Sequence, residues 1–454
     1  MKLVILGAKE SGVGAAALGK KLGYDVFLSD SGKIEGKYKQ VLDEKAITYE
    51  EGGHTEEKVL AADLVVKSPG IPDTAPLVKT LRQHGIEVIS EIELAGRNSG
   101  AKMICITGSN GKTTTTLLTH HLLSTSGMDV GLAGNVGYSL AAQVAEDAHP
   151  AYVVELSSFQ LDGMTKFKAD IAVITNITPD HLDRYDHKFE NYAASKFRIL
   201  QNMDADGLFI YGADCPMTSK LAASSEIVPP TACFTYSDAE NIPVATQNLS
   251  GYAYMEGNVL TAKLGEKTFT IDKNKISIKG RHNVYNAMAA VITAMKVGID
   301  NEKIAEGLQS FPQVPHRMET VGEHNGIIYI NDSKATNVDS SWYALDSMTT
   351  PVVWIAGGTD KGNDYSPLFG FAKEKVKVLI CMGLDNAKLI NSFGGLCPVV
   401  STASLADAMR EVEKYATSGD TVLLSPCCAS FDLFKNYEDR GDKFRQAVKE
   451  LINR

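Results

Sequence analysis

A chain of 454 residues is too long for one ordinary hydrophobic core, so two to four domains are expected. Its 44% hydrophobic and 22% charged residues are ordinary for a soluble globular protein, and no apolar run approaches the roughly 18–20 residues that span a bilayer. A formal net charge of -10 speaks against a nucleic-acid partner, whose phosphate backbone is gripped by clustered Lys and Arg; small anions need only a few cations and a helix N-terminus.

The start, Met1-Lys2-Leu3-Val4-Ile5-Leu6-Gly7, is too short and too soon broken by glycine for a signal peptide, so it reads as a first strand and a cytoplasmic location is expected. An Ala-rich helix over 14–22 and a strand at Asp25-Val26-Phe27-Leu28 follow. Further strands are predicted at 62–66 and 87–89, the βαβ grammar of a parallel sheet covered by helices. The polar stretch Gly96-Arg97-Asn98-Ser99-Gly100 marks a boundary before a new strand at 103–106. The second block carries strands at 151–155 and 171–174, a helix around 189–202, and an irregular β-rich stretch to about 280. Within that stretch Asn248-Leu249-Ser250-Gly251-Tyr252 and Leu264-Gly265-Glu266-Lys267 read as turns. A helix from about 283 to 296 closes the block, and Pro312 and Pro315 mark the next linker. The third block has strands at 352–355, 376–380 and 421–424. Three α/β domains result, bounded at 1–98, 99–312 and 313–454. Seven cysteines, none spaced CxxC, read as reduced, buried thiols.

Two glycine turns invite ligands. Gly7-Ala8-Lys9-Glu10-Ser11-Gly12-Val13-Gly14 lies between strand and helix, with Asp30 at the end of the next strand. A dinucleotide fingerprint needs glycine at 7, 9 and 12, and position 9 is lysine. The turn therefore either binds a nucleotide in another way or is a tight turn with no ligand. The second, Thr107-Gly108-Ser109-Asn110-Gly111-Lys112-Thr113-Thr114, is also strand, glycine loop and helix. Its backbone N–H groups and helix N-terminus suit phosphate, Lys112 suits the β- and γ-phosphates, and the Thr113 hydroxyl suits Mg²⁺. A strict P-loop needs glycine where this chain has Ile106, so the match is to a shortened GxxGKT form. A run of threonines is also a poor helix start, which favours a chemical reason for it.

With this loop, Gly134-Asn135-Val-Gly137, Glu155-Leu-Ser-Ser-Phe-Gln-Leu161, Asn176-Ile-Thr-Pro-Asp-His-Leu-Asp183, His316-Arg317, Asn331-Asp-Ser-Lys-Ala-Thr-Asn337, Ser425-Pro-Cys-Cys-Ala-Ser-Phe-Asp432 and Asn436-Tyr-Glu-Asp-Arg-Gly441, the chain resembles the Mur ligases over nearly its whole length. The Glu155 and Ser425 blocks look like the D-glutamate-adding branch. The resemblance implies a Rossmann-like N-terminal domain for the uridine-nucleotide substrate, a central P-loop-type ATPase domain and a Rossmann-like C-terminal domain for the amino acid. It implies ATP-driven activation of the carboxylate of UDP-N-acetylmuramoyl-L-alanine as an acyl phosphate, attacked by D-glutamate, in a monomer acting on small molecules in peptidoglycan synthesis.

By the same resemblance, Thr113, Glu155, His181 and a CO₂-carbamylated Lys196 bind two Mg²⁺ ions, and Lys112, Lys196, His181, Arg317 and Lys334 serve catalysis. Gly108, Ser109, Asn110, Gly111, Lys112, Thr113, Thr114, Asn283, Asn286, Arg317 and Asp332 face ATP. Asn135 and Ser157 line the substrate side; Ser11, Asp30, Ser31 and Gly70 take the uridine nucleotide; and Thr336, Lys361, Ser430, Phe431 and Tyr437 take D-glutamate. The family more often has phenylalanine at 437. Pro312–Pro315 is expected to be a hinge. Two facts about the residues agree: an unpaired buried acid such as Glu155 needs a cation, and carbamylation needs a neutral lysine amine. A folylpolyglutamate-synthase-like relative would lack this N-terminal nucleotide domain, a P-loop switch would turn over ATP without an amino acid, and a dehydrogenase is disfavoured by Lys9.

Overall fold

The computed structural model describes residues 1–224, 226–237, 242 and 249–453. They form two compact units, Met1–Ile276 with Tyr285–Ser310, and Ser277–Val284 with Phe311–Arg454. Among the described residues, no helix is long and apolar enough to cross a membrane.

The first unit holds two sheets. Strands β1 (Lys2–Leu6), β2 (Asp25–Asp30), β3 (Thr48–Glu51), β4 (Leu64–Lys67) and β5 (Glu87–Ile89) pair in parallel in the order β3-β2-β1-β4-β5. The Val/Ile/Leu runs read in the sequence are buried on both faces, as a helix-covered parallel sheet requires. The first helix, Glu10–Lys21, begins before the predicted residue 14. Helix Glu91–Arg97 runs into the stretch read as a boundary. Gly96 lies inside this helix, where Phe167 packs into the space a side chain would take, so the glycine serves close packing and not a turn.

The second sheet comprises β6 (Lys102–Thr107), β7 (Gly131–Gly134), β8 (Ala151–Glu155), β9 (Ile171–Ile174), β10 (Leu208–Gly212), β11 (Thr231–Phe234), β12 (Leu249–Glu256), β13 (Val259–Leu264) and β14 (Lys267–Asp272), in the order β14-β13-β12-β11-β10-β9-β6-β8-β7. The predicted strands at 103–106, 151–155 and 171–174 are the adjacent β6, β8 and β9, one strand in from the β7 edge. The segment read as a turn at 249–252 is instead the start of β12 (Asn248 lies outside the described residues). Gly251 misled: it marks a close approach to Leu264 beside a register irregularity, where a β-carbon would crowd the partner strand. Gly265-Glu266 is a two-residue turn between β13 and β14, as expected. The two sheets are joined through Glu91, whose buried carboxylate accepts from Ser139 Oγ at 2.7 Å and Ala141 N at 2.6 Å.

The second unit carries β15 (Glu319–His324), β16 (Ile327–Asn331), β17 (Val352–Ala356), β18 (Val376–Met382), β19 (Val399–Thr402) and β20 (Thr421–Leu424), in the order β15-β16-β20-β17-β18-β19. Only β15 is antiparallel to its neighbour. In each sheet the loops beyond the carboxyl ends of the parallel strands carry the polar residues singled out above, where α/β sheets place their ligands.

Candidate active site

The phosphate loop leaves β6, which pairs with β8 on one side and β9 on the other. Gly108 (φ +153°) and Gly111 (φ +83°) take backbone conformations that side chains rarely adopt. A β-carbon on Gly108 would collide with the Thr175 hydroxyl, and one on Gly111 with Asn286 Oδ1. The loop is clamped from the segment after β9: Ser109 N donates to Asn176 O at 2.9 Å, Asn110 N to Asn176 Oδ1 at 2.9 Å, and Ser109 Oγ to Thr178 O at 2.8 Å. Gly111 is the N-cap of helix Lys112–Thr125 and brings no side chain to it, so the first-turn amides around Thr113 and Thr114 are left to a ligand. Asn286 holds that helix by accepting from Thr115 Oγ1 at 3.0 Å.

Two lysines converge on this loop. Lys112 Nζ donates to the carbonyls of Gly108 and Ser109, each at 2.9 Å, and Lys196 Nζ donates to the same Gly108 carbonyl at 2.7 Å. Lys196, on helix Phe189–Phe197, is only 2% exposed and lies 4.7 Å from the centre of the Tyr192 ring. Burial, reinforced by the Lys112 charge, holds its ammonium far below the usual lysine range; Asp180 and Glu155 oppose this. Glu155, at the end of β8, is 1% exposed: Oε1 accepts from Asn135 Nδ2 at 2.9 Å, while the buried Oε2 has no hydrogen-bond donor. Such an orphaned carboxylate oxygen, with the Thr113 hydroxyl in the neighbouring loop, suits a hard divalent cation. Among the described residues no cluster of three His, Cys, Asp or Glu side chains forms a metal site by itself, which suits Mg²⁺, commonly held by one or two protein oxygens with phosphate and water completing its shell. His181 is exposed, in the left-handed region (φ +51°), 3.6 Å from Asp180 and edge-on to Phe159. Ser157 caps helix Ser158–Asp162 in a capping box with Gln160.

Around the first glycine turn, the Asp30 carboxylate accepts from Ala8 N at 2.6 Å and Gly32 N at 2.7 Å. Ser11 is half-buried in the first helical turn; Ser31 and Gly70 are exposed. At the crevice between β1 and β4, Lys67 Nζ donates to Ile71 O at 2.9 Å and lies 3.3 Å from Asp73.

In the second unit Arg317 stands between His316 and Met318, both in the left-handed region. Asp332 is buried, accepting from Ser425 Oγ at 2.9 Å and Met318 N at 3.2 Å, and burial pushes its carboxyl up to about 7. Lys334 Nζ sits 3.8 Å from the centre of the Tyr437 ring. Thr336 follows in the same loop, its N–H on the Lys334 carbonyl at 2.8 Å. Lys361 is exposed on a loop that Asp360 fastens through Gly362 N, Asn363 N, the Tyr365 hydroxyl and Lys388. Ser430 is buried and Phe431 is 71% exposed. Asn283 is buried and donates to Lys279 O at 2.8 Å.

Family descriptions match along the chain in order: the MurD N-terminal domain at 8–76, the Mur ligase middle domain at 106–294, and the Mur ligase glutamate ligase domain at 316–428. Relatives named UDP-N-acetylmuramoylalanine–D-glutamate ligase are 51% identical over 450 residues in Porphyromonas gingivalis, covering 99% of this chain and 98% of theirs, and 52% identical over 456 residues in Cytophaga hutchinsonii, covering 99% of each. The chain belongs to the Mur ligase family. A pseudomurein peptide ligase type C from Methanothermus fervidus shares the fold of this Mur ligase with a TM-score of 0.63 at 19% identity, over 99% of this chain and 100% of that one.

The structure of this Mur ligase brings Lys112, Lys196, Glu155, Asn135, Ser109 and Asn286 together around one loop; it groups Asp332, Lys334 and Tyr437 in the second unit. Sequence reasoning missed the loop clamps Thr175 and Asn176, though Asn176 opens a quoted motif directly after a strand. It also missed Lys67 and Arg440. Arg440 lies in the quoted Asn436–Gly441 run, but an arginine on a polar helix carries no sequence sign of burial.

Proposed function

We propose that this Mur ligase joins D-glutamate to UDP-N-acetylmuramoyl-L-alanine, converting ATP to ADP and phosphate, in peptidoglycan synthesis. The observation that carries this reading is full-length identity of about half with relatives named for that reaction. The γ-phosphoryl group passes to the substrate carboxylate, the D-glutamate amine attacks the acyl phosphate, and phosphate leaves. The loop 108–114 and Lys112 hold the triphosphate, while Asn283, Asn286, Arg317 and Asp332 serve the rest of ATP. Asn135 and Ser157 serve the acceptor substrate; Ser11, Asp30, Ser31 and Gly70 its uridine nucleotide within 1–98. Lys334 steadies the reacting carboxylate, and Thr336, Lys361, Ser430, Phe431 and Tyr437 hold D-glutamate within 313–454.

Thr113, Glu155, His181 and a carbamate on Lys196 would hold Mg²⁺, which when bound neutralises triphosphate charge. Lys196 supports this because burial favours its neutral amine, which adds CO₂ by forming an N–C bond and releasing one N–H proton. A cytoplasmic, monomeric enzyme belongs to the same proposal. Phosphate release measured with UDP-N-acetylmuramoyl-L-alanine should require D-glutamate and be far weaker with L-glutamate, meso-diaminopimelate or no amino acid; equal release in all four would sink it.

A further inference from the structure

Helix Tyr437–Ile452 follows β20 and begins beside the loops beyond β16, β17 and β20. On its first turn Arg440 is only 1% exposed, and all three guanidinium nitrogens donate inward. Nε reaches Ser333 Oγ at 3.0 Å, and Nη2 reaches Ser333 O at 2.8 Å and Cys428 O at 3.2 Å. Nη1 reaches Cys428 O at 3.2 Å and, more weakly, Gly357 O at 3.4 Å. Every acceptor is neutral, and among the described residues no carboxylate forms an ion pair with it. Burial correspondingly lowers its ionisation to about 10.

The three acceptors belong to three loops. Ser333 stands between Asp332 and Lys334, ahead of Thr336. Gly357 precedes Lys361, and Cys428 precedes Ser430 and Phe431. The loops are in close contact there: a β-carbon on Gly358 would collide with Ala429 O and come 3.3 Å from Arg440 Nη1. Gly441, the next residue, lets the helix press on His316, and Asn331 Nδ2 donates to its carbonyl at 3.2 Å. A buried guanidinium costs several kcal/mol to desolvate, so an apolar side chain of equal volume would satisfy packing alone at least as well. Arginine differs from such a filler in its planar fork, which can hold three backbones at fixed spacing.

We propose that Arg440 is a positioning residue for the amino-acid half-reaction: its guanidinium sets the spacing of the loops after β16, β17 and β20, and thereby the registration of Thr336, Lys361 and Ser430 on the incoming amino acid. This rests on the function proposed above. The triphosphate loop lies on another sheet, and on the ATP side only the neighbouring Asp332 adjoins an acceptor of Arg440, so disturbing Arg440 falls far more on amino-acid use than on ATP capture.

The test is steady-state kinetics of the full chain as Arg440→Lys and Arg440→Met, with Phe444→Leu as a destabilised control from the same helix, each with its melting temperature. The KM for D-glutamate should rise about tenfold or more in both Arg440 variants with a fall in kcat, while the KM for ATP stays within about twofold. Lysine should rescue little, because one ammonium cannot span three loops. Phe444→Leu should lower the melting temperature and change neither KM. Equal rises in both KM values, a rise matched by the control, or a normal KM for D-glutamate in Arg440→Lys would overturn the proposal. If neither Arg440 variant folds, Ser333→Ala decides it: a KM for D-glutamate raised about threefold supports the proposal, and an unchanged one overturns it. Wild-type phosphate release that ignores D-glutamate would instead overturn the underlying function, which separates the two failures.

Discussion

The two glycine turns of the first unit share one grammar and opposite electrostatics. Each runs from a buried parallel strand through glycines into a helix, and neither helix has a side-chain cap. At the first turn a carboxylate is already built in: Asp30 takes the Ala8 amide, and Glu10 opens the helix. At the second, the Lys112 ammonium and the buried Lys196 amine share the Gly108 carbonyl, and Glu155 at the end of β8 leaves one oxygen orphaned. Glycine spacing therefore establishes that a backbone loop exists; the charge delivered by residues distant in sequence decides what it holds. A triphosphate suits a loop with Lys112 and an uncapped helix N-terminus, whereas an anion at the first turn must contend with Asp30.

The largest effect that could break this comparison is at Lys112. Lys112→Ala should lower kcat/KM for ATP by about 10³-fold with the melting temperature little changed, since its present partners are two carbonyls of its own loop. A fall below about tenfold would place the triphosphate elsewhere. Lys196→Ala should cost about 10²-fold or more, and short carboxylic acids should restore part of it by replacing the carbamate. Restoration never seen at any acid concentration would remove the carbamate role. Activity of the wild type should also rise with added bicarbonate at limiting CO₂, because the buried amine is poised neutral.

How far the sequence anticipated this structure follows from what each signal measures. Buried parallel strands are continuous apolar runs, so 151–155, 171–174 and 421–424 coincide with β8, β9 and β20. Strands such as β3 and β15 alternate weakly and are half exposed, and they left no such run. Gly251 shows the opposite failure, a strand glycine needed for close approach and mistaken for a turn. At the site, Lys112 and Glu155 were legible because local motifs carry them. Burial of Lys196, orphaning of Glu155 Oε2 and the fork of Arg440 depend on pairs 88, 20 and 107 residues apart, which no local pattern encodes.

A smaller effect sharpens the first turn. Asp30→Ala removes the acceptor for Ala8 N and Gly32 N and should raise the KM for the uridine-nucleotide substrate about tenfold, with the KM for ATP unchanged. If instead the KM for ATP moves, the two turns are not independent sites.

The smallest effect concerns a third carboxylate, Asp332, which like Asp30 stands at the carboxyl end of a parallel strand but is buried. Its folded carboxyl is raised from 3.8 to about 7, mainly by burial, against the pull of Arg317 and Arg440. Between about pH 4 and 7 the folded chain therefore binds more protons at this site than the unfolded chain. This contribution to stability is full below about pH 4 and is lost as pH rises toward 7. Asp332→Asn cannot ionise, yet it keeps an oxygen for one of the two present donors, so it carries a constant offset and no such loss. The melting temperature of the nucleotide-free variant, relative to wild type, should climb by a few degrees between pH 4.5 and about 7.5 and then level. All other titrating groups are common to both proteins and cancel in the difference. A flat difference would mean that Asp332 ionises as freely in the folded chain as in the unfolded one, and that the second unit admits water beneath its strand ends where the structure has Ser425 and Met318 closing over the acid.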